Sequence, residues 1–240
     1  YKDCFTTRQM LHLEMDMLNK ANRLDINKGH QVKEFEVTRP LTEEQKEVLD
    51  HLVAAGDMKC VIGYAGSGKS YLLGAAREVW EQSGYRVEGL TLSGIAASGL
   101  QASSGIESRT LASRISYWNK DEEKLTKDTI LVVDEAGMLG SRQVARILKE
   151  VEQAEAKVVF VGDTEQLQAI EAGSPFRGIS ERFSTMNLSE IRRQTQVWQQ
   201  EATKAFGRGD TADAIRRYDE HGCIQAFETK EMARAEMIKK

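Results

Sequence analysis

The chain has 240 residues, of which 40% are hydrophobic and 29% are charged, and its formal net charge is −4. This composition is typical of a soluble globular protein with one α/β core and a helical appendage, or with two small domains. No apolar run approaches the roughly 20 residues of a helical membrane span, so we expect no membrane segment. The acidic balance gives no global sign of nucleic-acid binding, but a local basic groove stays compatible with it because net charge averages over all faces.

The cysteines and histidines exclude several classes of site. The three cysteines, Cys4, Cys60 and Cys223, are widely separated and form no CxxC pair. That usage is typical of free thiols in a reducing compartment, so we expect a cytoplasmic protein without a disulfide framework. The four histidines show no metal-ligand spacing. The first residue is not methionine and the start does not resemble a signal peptide, so we expect a piece of a longer protein.

Residues 1–40 are predicted to form a helical lead-in and a connector. A capping box is expected over residues 6–9, Thr-Thr-Arg-Gln. Gly29 and His30 are expected to end the helix, and the connector then runs to Pro40. We expect the helix to pack on the main domain or on a neighbouring segment, without a catalytic role. Its apolar residues recur at spacings of three and four, which predicts one buried stripe made of Met10, Leu13, Met17, Ala21 and Leu24.

A second helix is predicted to begin just after Leu41. Thr42 would cap it, and Gln45 three residues later would complete a capping box. A second interpretation is that the Gln45 amide hydrogen-bonds an adenine, since an amide offers both a donor and an acceptor to the edge of the base. The sequence alone favours the capping role. The adenine role stays open because the next predicted strand is the one that precedes the phosphate-binding motif.

The strongest motif lies at residues 63–70, which fit the pattern G-x-x-x-x-G-K-[ST] at every fixed position. A β-rich segment precedes it and a helical pattern follows it, so the motif is predicted between a strand and a helix. There the glycines let successive backbone N–H groups surround a phosphate chain, and the helix N-terminus adds its positive end. Lys69 would reach the β- and γ-phosphates of a nucleoside triphosphate, and the Ser70 hydroxyl would bind Mg²⁺. The alternative is a Gly-rich turn that contains Lys-Ser by chance and binds no nucleotide. If the segment is a P-loop, the cofactor-binding residues are Gly63, Ala65, Gly66, Ser67, Gly68, Lys69 and Ser70.

Residues 86–92 predict a second strand, and residues 93–100 predict a turn of small residues that leads into a helix. Small residues let a ligand approach the backbone closely, and they also let helices pack tightly. A further helix is predicted to begin near Arg109 and Thr110. The charged segment 120–127 is expected to be a solvated loop.

Residues 129–133, Thr-Ile-Leu-Val-Val, predict a central parallel strand because the run is continuously apolar and β-branched. The strand ends in Asp134 and Glu135, at the edge of an open α/β sheet where ligands bind. Asp134 can hold the Mg²⁺ that bridges the phosphates, and Glu135 can orient or deprotonate the attacking water. An apolar run that ends in Asp-Glu is weak evidence alone, but a complete P-loop upstream strengthens it.

The remaining elements continue the alternation of helices and strands. A helix is predicted over 141–154 and a buried strand over 157–161, and Gln166 in the polar segment that follows could report the γ-phosphate. A strand over 184–188 leads to Arg192 and Arg193, which either are solvated or bind an anion. The fold class is therefore α/β, with a mostly parallel central sheet flanked by helices. The chain is completed by predicted helices over 195–207 and 210–220, a strand-like segment over 223–227 and a last helix from Thr229.

Taken in order, these motifs resemble those of superfamily 1 DNA helicases of the RecD-like branch, and more closely the helicase segment of TraA-type conjugative relaxases. The resemblance implies a RecA-like P-loop NTPase domain over residues 41–240, the first of the two core domains of such a helicase. The start of the chain, residues 5–10, is also similar to the start of the helicase part of these relaxases. The matching segments are 41–45 (Q motif), 63–70 (motif I), 93–100 (motif Ia), 110–111 (motif Ib), 134–137 (motif II), 162–167 (motif III) and 188–194 (motif IV).

The resemblance also implies a function, ATP-driven DNA unwinding with 5′→3′ polarity in a conjugative DNA-transfer protein. It assigns DNA-backbone contacts to Ser93, Gly94 and Thr110, and it puts Arg193 in the place of the γ-phosphate arginine. It implies ATP and Mg²⁺ as cofactors, and as partners single-stranded DNA, a second core domain, a nicking domain and other conjugation proteins. The catalytic residues would be Lys69, Glu135, Gln166 and Arg193.

The sequence departs from the family pattern in several ways. It contains no motif V or VI, hence no arginine finger of a second core domain, and no His-x-His triad or tyrosine pair of a nicking domain. An arginine finger can be worth about 10³–10⁵ in turnover, so we expect weak ATP binding and very slow hydrolysis by these residues alone. Two other classes stay open, a P-loop phosphotransferase acting on a small molecule and a nucleotide-binding interaction module without turnover. A phosphotransferase would leave segment 162–167 and the Q motif unexplained. Glu135, a candidate for activating water, argues mildly against a module without turnover.

Overall fold

The computed structural model describes residues 6–64, 66–163, 174–189, 196–207 and 209–239. The chain forms two compact units, Tyr1–Ile191 and Arg192–Lys240. The first unit contains the sheet, and the regular structure described in the second unit is helical. The expected extent of the core domain, residues 41–240, stays a prediction.

The first unit is built on a six-stranded sheet in which every pairing is parallel. The two central strands are buried at every residue, as their continuous apolar runs predict. The predicted fold class, α/β with a parallel sheet flanked by helices, is confirmed. The strands are β1 (Met58–Gly63), β2 (Arg86–Thr91), β3 (Glu107–Thr110), β4 (Thr129–Val133), β5 (Lys157–Gly162) and β6 (Thr185–Leu188), in the spatial order β3-β2-β4-β5-β1-β6.

Helices cover both faces of this sheet. One apolar core joins the sheet to the first, fifth, sixth and seventh helices, and a second core joins it to the second, third and fourth. With both faces covered, the loops at the strand ends are the places left for ligands. The helices are α1 (Arg8–Ile26), α2 (Glu43–Val53), α3 (Lys69–Gln82), α4 (Gly94–Ser104), α5 (Leu111–Asn119), α6 (Ser141–Gln153) and α7 (Pro175–Ser180), with a 3₁₀ turn at Ala136–Met138.

The lead-in helix α1 packs on the main domain, against α6. Its predicted apolar stripe faces the core, and three of its members are buried. The other two are half-buried, near the start of the helix where less of the domain covers it. The buried members are Met17, Ala21 and Leu24.

Both ends of α1 differ from the predicted ends. The N-cap is Thr7, whose hydroxyl accepts from the Met10 N–H at 3.2 Å, so the cap lies one residue later than the predicted capping box. The helix ends at Ile26, before the glycine that was expected to end it. The turn that follows is held by Asp57, which is buried and whose carboxylate lies 2.5 Å from Nδ1 of His30. A tertiary contact therefore decides where the chain leaves the helix.

The structure adds one strand that was not predicted and lacks one that was. β3 was not predicted, because Glu-Ser-Arg-Thr has no apolar run; it is an edge strand paired with β2, and the helix expected near Arg109 begins at Leu111. Segment 223–227 is not a strand, and all of its residues are exposed. Its alternating pattern lacks a strand to pair with in the described part of the chain, and an unpaired strand is not stable in water.

The second unit contains α8 (Val197–Gly207), α9 (Thr211–Glu220) and α10 (Lys230–Lys239), close to the predicted helices. Trp198 stacks on His221 with ring centroids 4.0 Å apart, and it meets Tyr218 edge-on at 5.3 Å. These contacts hold α8 against α9. Over the described ranges of both units, no helix is long and apolar enough to cross a membrane.

Candidate functional site

All six strands end at the same edge of the sheet, because every pairing is parallel. Most of the predicted site residues follow these carboxyl ends: the P-loop follows β1, Ser93 follows β2, and Asp134 and Glu135 follow β4, while Thr110 ends β3. β5 lies between β1 and β4, a neighbour relation that chain order does not reveal. The fold therefore brings the nucleotide and nucleic-acid candidates to one edge, where open α/β sheets bind ligands.

The P-loop lies between β1 and α3, as predicted. Gly66 and Gly68 have φ angles of 84° and 85°, a left-handed conformation that glycine adopts without steric cost. Gly68 is the N-cap of α3, which begins at Lys69. At Gly63 the requirement is space, because an added Cβ would lie 2.8 Å from Oγ of Ser67. The glycines thus allow the tight turn that directs the helix N-terminus at the loop.

Two side chains of the loop suit a phosphate ligand. The Lys69 Nζ donates to the carbonyl oxygens of Gly63 at 2.6 Å and Tyr64 at 2.9 Å. The Ser67 hydroxyl is buried and has no hydrogen-bond partner within the described ranges. An unsatisfied buried polar group costs about 1–3 kcal/mol, and a phosphate oxygen in the loop would remove that cost. The chemistry of these donors fits a nucleotide phosphate chain.

Asp134 and Glu135 form the turn after β4. The Asp134 N–H donates to the Leu90 carbonyl, and the Glu135 N–H donates to Oδ1 of Asp134, both at 2.9 Å. Glu135 has a φ angle of 57°, a left-handed conformation that is uncommon outside glycine. Burial raises the pKa of Asp134, while the Glu135 N–H and the Lys69 charge lower it in part. The P-loop lysine and this turn therefore lie within electrostatic reach of each other.

Glu135 is less buried than Asp134, and its pKa is also raised. Burial raises the pKa of Glu135, and the charge of Asp134 raises it further. A divalent cation at Asp134 would favour the ionised carboxylate there and reduce the repulsion between the two side chains. The pair is thus suited to hold a cation at one member and a proton acceptor at the other.

A close backbone contact, absent from the sequence analysis, supports this turn. An added Cβ on Gly137 would lie 2.5 Å from the Asp163 carbonyl oxygen, and one on Gly162 would lie 2.9 Å from the Gly137 nitrogen. Real Cβ atoms essentially never come within 3.0 Å of another atom, so both positions require glycine for space. In the sequence, the sign of this contact is the pair of glycines, Gly137 in the turn after β4 and Gly162 as the last residue of the neighbouring strand β5. The contact joins the turn after β4 to the end of β5.

Gln45 forms the predicted capping box. The Thr42 hydroxyl accepts from the Gln45 N–H at 3.3 Å, and Oε1 of Gln45 accepts from the Thr42 N–H at 3.2 Å. The capping role is confirmed, with Gln45 only 1% exposed, and the adenine contact stays a prediction. The neighbouring Glu44 accepts from the N–H and the hydroxyl of Ser189 at 2.7 and 2.6 Å. These bonds tie the segment after β6 to α2.

Ser93 and Thr110 cap two helices that begin at the same edge of the sheet. The Ser93 hydroxyl accepts from the Ala96 N–H at 3.1 Å where α4 begins, and the Thr110 hydroxyl accepts from the Ser113 N–H at 3.2 Å where α5 begins. Because β2 and β3 pair up to their last residues, both helices begin at the same edge of the sheet, α4 toward one face and α5 toward the other. Helix N-termini attract anions through unpaired N–H groups and the helix dipole. The predicted DNA-binding residues, Gly94 included, thus lie at one edge of the sheet, and their contact with DNA stays a prediction.

Several predicted site residues cannot be compared with the geometry. Ala65, Gln166 and Arg193 lie outside the described residues, so their roles in phosphate binding and in sensing the γ-phosphate stay predictions. Ser70 lies in the first turn of α3 and is half-buried. Its role as a magnesium ligand also stays a prediction.

A buried cation beside β2 was not predicted. Arg114 of α5 has a side chain only 3% exposed, with Nη2 2.7 Å from Glu88 and Nη1 3.1 Å from Glu123. Burial lowers the pKa of Arg114, and the two carboxylates raise it in part. In the sequence, the sign that Arg114 is buried is its position on the apolar stripe of α5, between Leu111 and Trp118. Part of segment 120–127 is therefore bound to the sheet edge by ion pairs.

The fold and the site define a RecA-like P-loop nucleotide-binding domain. Sequence comparison matches residues 40–229 to the family described as AAA domain, so the chain belongs to that family. It is a helicase-type ATP-binding domain related to TraA-type and RecD-like proteins, as the sequence resemblance predicted.

The individual relatives agree with this family. A probable conjugal transfer protein TraA of Sinorhizobium fredii is 40% identical over 240 residues, which cover 98% of this chain and 22% of that protein. The ATP-dependent RecD2 DNA helicase of Deinococcus radiodurans is 30% identical over 158 residues, covering 64% of this chain and 22% of the relative. The crystal structure of the Pif1 helicase from Candida albicans matches with a TM-score of 0.53 and 20% sequence identity, over 71% of this chain and 44% of the Pif1 chain. At this level of identity the likeness shows the fold alone. The chain spans about a fifth of the length of these curated relatives.

Proposed function

We propose that this chain is the ATP-binding motor domain of an ATP-dependent DNA helicase, within a conjugative DNA-transfer relaxase. The observation that carries the proposal is the convergence of Lys69, Asp134 and Glu135 at the edge of the sheet where α4 and α5 also begin. The helicase activity is proposed from the RecD2 relative and the role in conjugation from the TraA relatives. The 5′→3′ polarity is proposed on family grounds alone.

ATP and Mg²⁺ are the proposed cofactors. Residues 63–70 would surround the phosphate chain, and Lys69 would exchange the carbonyls of Gly63 and Tyr64 for phosphate oxygens. The Ser70 hydroxyl and the Asp134 carboxylate would hold Mg²⁺, which when bound neutralises charge on the phosphates. The buried Ser67 hydroxyl supports this assignment, because a phosphate oxygen would satisfy it.

Glu135 is the proposed general base. The raised pKa brings its carboxylate closer to the range in which a side chain exchanges protons effectively near neutral pH. The turn that carries it is held from two sides, by the Leu90 bond to Asp134 and by the contact between Gly137 and β5. Gln166 and Arg193 are proposed as sensors of the γ-phosphate, and Gln45 as an adenine contact.

Single-stranded DNA is the proposed substrate along which the motor moves. Its phosphates would bind Ser93, Gly94 and Thr110 at the N-termini of α4 and α5, which begin at the same edge of the sheet. Asp134 is hydrogen-bonded to Leu90 in the strand that leads to Ser93, which offers a short route between the nucleotide and DNA sites. A second core domain, a nicking domain and other conjugation proteins are the proposed protein partners, and the proposed location is the cytoplasm.

The test is ATP hydrolysis by this chain and by a longer chain that extends past Lys240, each with and without single-stranded DNA. We expect very slow hydrolysis by the 240 residues and a DNA-stimulated rate in the longer chain. Lys69→Ala in both chains is the control for hydrolysis by contaminants. Phosphorylation of a small molecule with no response to DNA would indicate a phosphotransferase. Nucleotide binding without turnover in either chain would indicate an interaction module.

A further inference from the structure

The turn that carries Asp134 and Glu135 continues into α6, and a side chain of α1 is bound at the place where α6 begins. The hydroxyl of Ser141, the first residue of α6, donates to Oε1 of Glu14 at 3.0 Å. Ser141 is only 1% exposed, so the serine end of this bond is shielded from water. Glu14 lies 127 residues earlier in the chain, before residue 40 where the family match begins. The lead-in helix therefore contacts the end of the proposed catalytic turn from outside the matched domain.

Between Glu135 and Ser141 the backbone is held by short-range hydrogen bonds. The Met138 N–H donates to the Glu135 carbonyl at 3.0 Å. The Leu139 N–H donates to the Ala136 carbonyl at 3.2 Å, and both of these side chains are buried. A hydrogen-bonded turn whose side chains are packed in the core transmits displacement from one end to the other. A restraint at Ser141 is therefore also a restraint on Glu135.

The N-terminus of α6 lacks an anion of its own. Its N-cap is Gly140, which has no side chain to cap the helix, and its first turn contains no acidic residue. The carboxylate of Glu14 brings a negative charge to this N-terminus, where the helix dipole favours one. Glu14 thus provides α6 with a charge that the first turn of α6 does not contain.

Glu14 is itself held in place, because the far end of α1 is fastened to the sheet. The Asp57 N–H donates to the Leu24 carbonyl at 2.8 Å, just before β1. The Ser184 N–H donates to Oδ1 of Asp25 at 3.1 Å, just before β6. α1 is one continuous helix, and its buried side chains pack in the core. These contacts fix the position of α1 on the sheet, and with it the position of Glu14.

We propose that Glu14 is a positioning residue for ATP hydrolysis, which holds Glu135 in place through Ser141. It acts through the serine and not on the reacting atoms. This role rests on the proposed function, because it takes Glu135 as the general base. A displacement of about 1 Å at a catalytic group can lower a rate by about 10²-fold. The turn has two further supports, at β2 and at β5, so the loss of Glu14 is expected to have a smaller effect.

The experiment measures steady-state ATP hydrolysis by the longer chain that extends past Lys240, with saturating single-stranded DNA. Glu14→Ala removes the bond to Ser141 and is expected to lower kcat about tenfold, with KM and the affinity for a fluorescent ATP analogue unchanged. Glu14→Gln is expected to keep most of the rate, since its amide oxygen still accepts from the serine hydroxyl. Ser141→Ala removes the same bond from the side of α6, so in the double variant it is expected to add little to the effect of Glu14→Ala.

Arg23→Ala is the matched control. Arg23 lies in the last turn of α1, and its Nε is 2.6 Å from Oε1 of Glu152, so this variant breaks a second bond between the same two helices. Glu152 lies near the C-terminus of α6, at the end away from the turn. Arg23→Ala is therefore expected to leave kcat and KM unchanged. Circular dichroism checks that all variants fold.

The possible outcomes separate the role of Glu14 from the proposed function. A wild-type kcat in Glu14→Ala, in a chain whose hydrolysis still responds to DNA, would overturn the role of Glu14 alone. Equal losses in Glu14→Ala and Arg23→Ala would also overturn it, since the effect would then come from a general loosening of α1. A raised KM with an unchanged kcat would assign the defect to nucleotide binding and contradict the positioning of Glu135. Failure of the wild-type longer chain to hydrolyse ATP would overturn both proposals.

Discussion

Gly137→Ala tests whether the contact between the turn after β4 and the end of β5 supports the site. The added Cβ would lie 2.5 Å from the Asp163 carbonyl oxygen, whereas ordinary contacts are 3.4–4 Å, so the two backbones must separate by about 1 Å. Neither atom belongs to a flexible side chain, and Asp163 is buried. Overpacking of this kind costs about 1–3 kcal/mol. A loss of about 2 kcal/mol corresponds to a fall in Tm of about 4–8 °C for a domain of this size.

The assay is thermal unfolding followed by circular dichroism, with Gly99→Ala as the matched control. Gly99 lies inside α4 with open space around it, so alanine there is expected to stabilise the chain by about 0.5–1 kcal/mol. In the longer chain proposed above, Gly137→Ala is also expected to lower DNA-stimulated ATP turnover by up to about 10²-fold, because Glu135 is displaced with the turn. An unchanged Tm in Gly137→Ala would refute the steric reasoning.

Three further predictions concern charged residues. Lys69→Ala is expected to abolish nucleotide binding while the fold survives, because the ammonium that would meet the phosphates is gone; titration with a fluorescent ATP analogue measures it. Glu135→Gln in the longer chain is expected to keep nucleotide affinity and to lower the hydrolysis rate by about 10²–10⁴-fold, measured by phosphate release. Burial and the Lys59 charge lower the pKa of Lys157 to about 7. Between about pH 7 and the ordinary pKa of 10.5 the unfolded chain then holds a proton that the folded chain lacks, so the free energy of unfolding rises with pH, and Lys157→Met should flatten that rise in urea unfolding.

Each of these predictions has a clear contrary result. ATP affinity like that of the wild type in Lys69→Ala would remove the phosphate assignment. Hydrolysis at the wild-type rate in Glu135→Gln would assign the base to another residue. A pH dependence in Lys157→Met equal to that of the wild-type chain would show that Lys157 is ionised in the folded state.

The local elements of the site could be predicted from the sequence because they depend on residues close together in the chain. The P-loop needs a strand, glycines that tolerate a positive φ and a helix start, and residues 58–82 carry all three signals. The apolar run of β4 and the Thr42–Gln45 capping box follow from equally short patterns. Such signals are read over a few residues, so the rest of the fold does not obscure them.

The tertiary structure alone decided which of these elements are neighbours. Placing β5 between β1 and β4 brings Asp163 against Gly137, and pairing the polar strand β3 with β2 brings the starts of α4 and α5 to the same edge of the sheet. The strand-like pattern of 223–227 shows the converse, a local signal without a pairing partner in the described ranges. Strand pairing and the burial of Arg114 depend on residues far apart in sequence. Their free energies come from contacts that form only when the whole sheet and its helices are assembled.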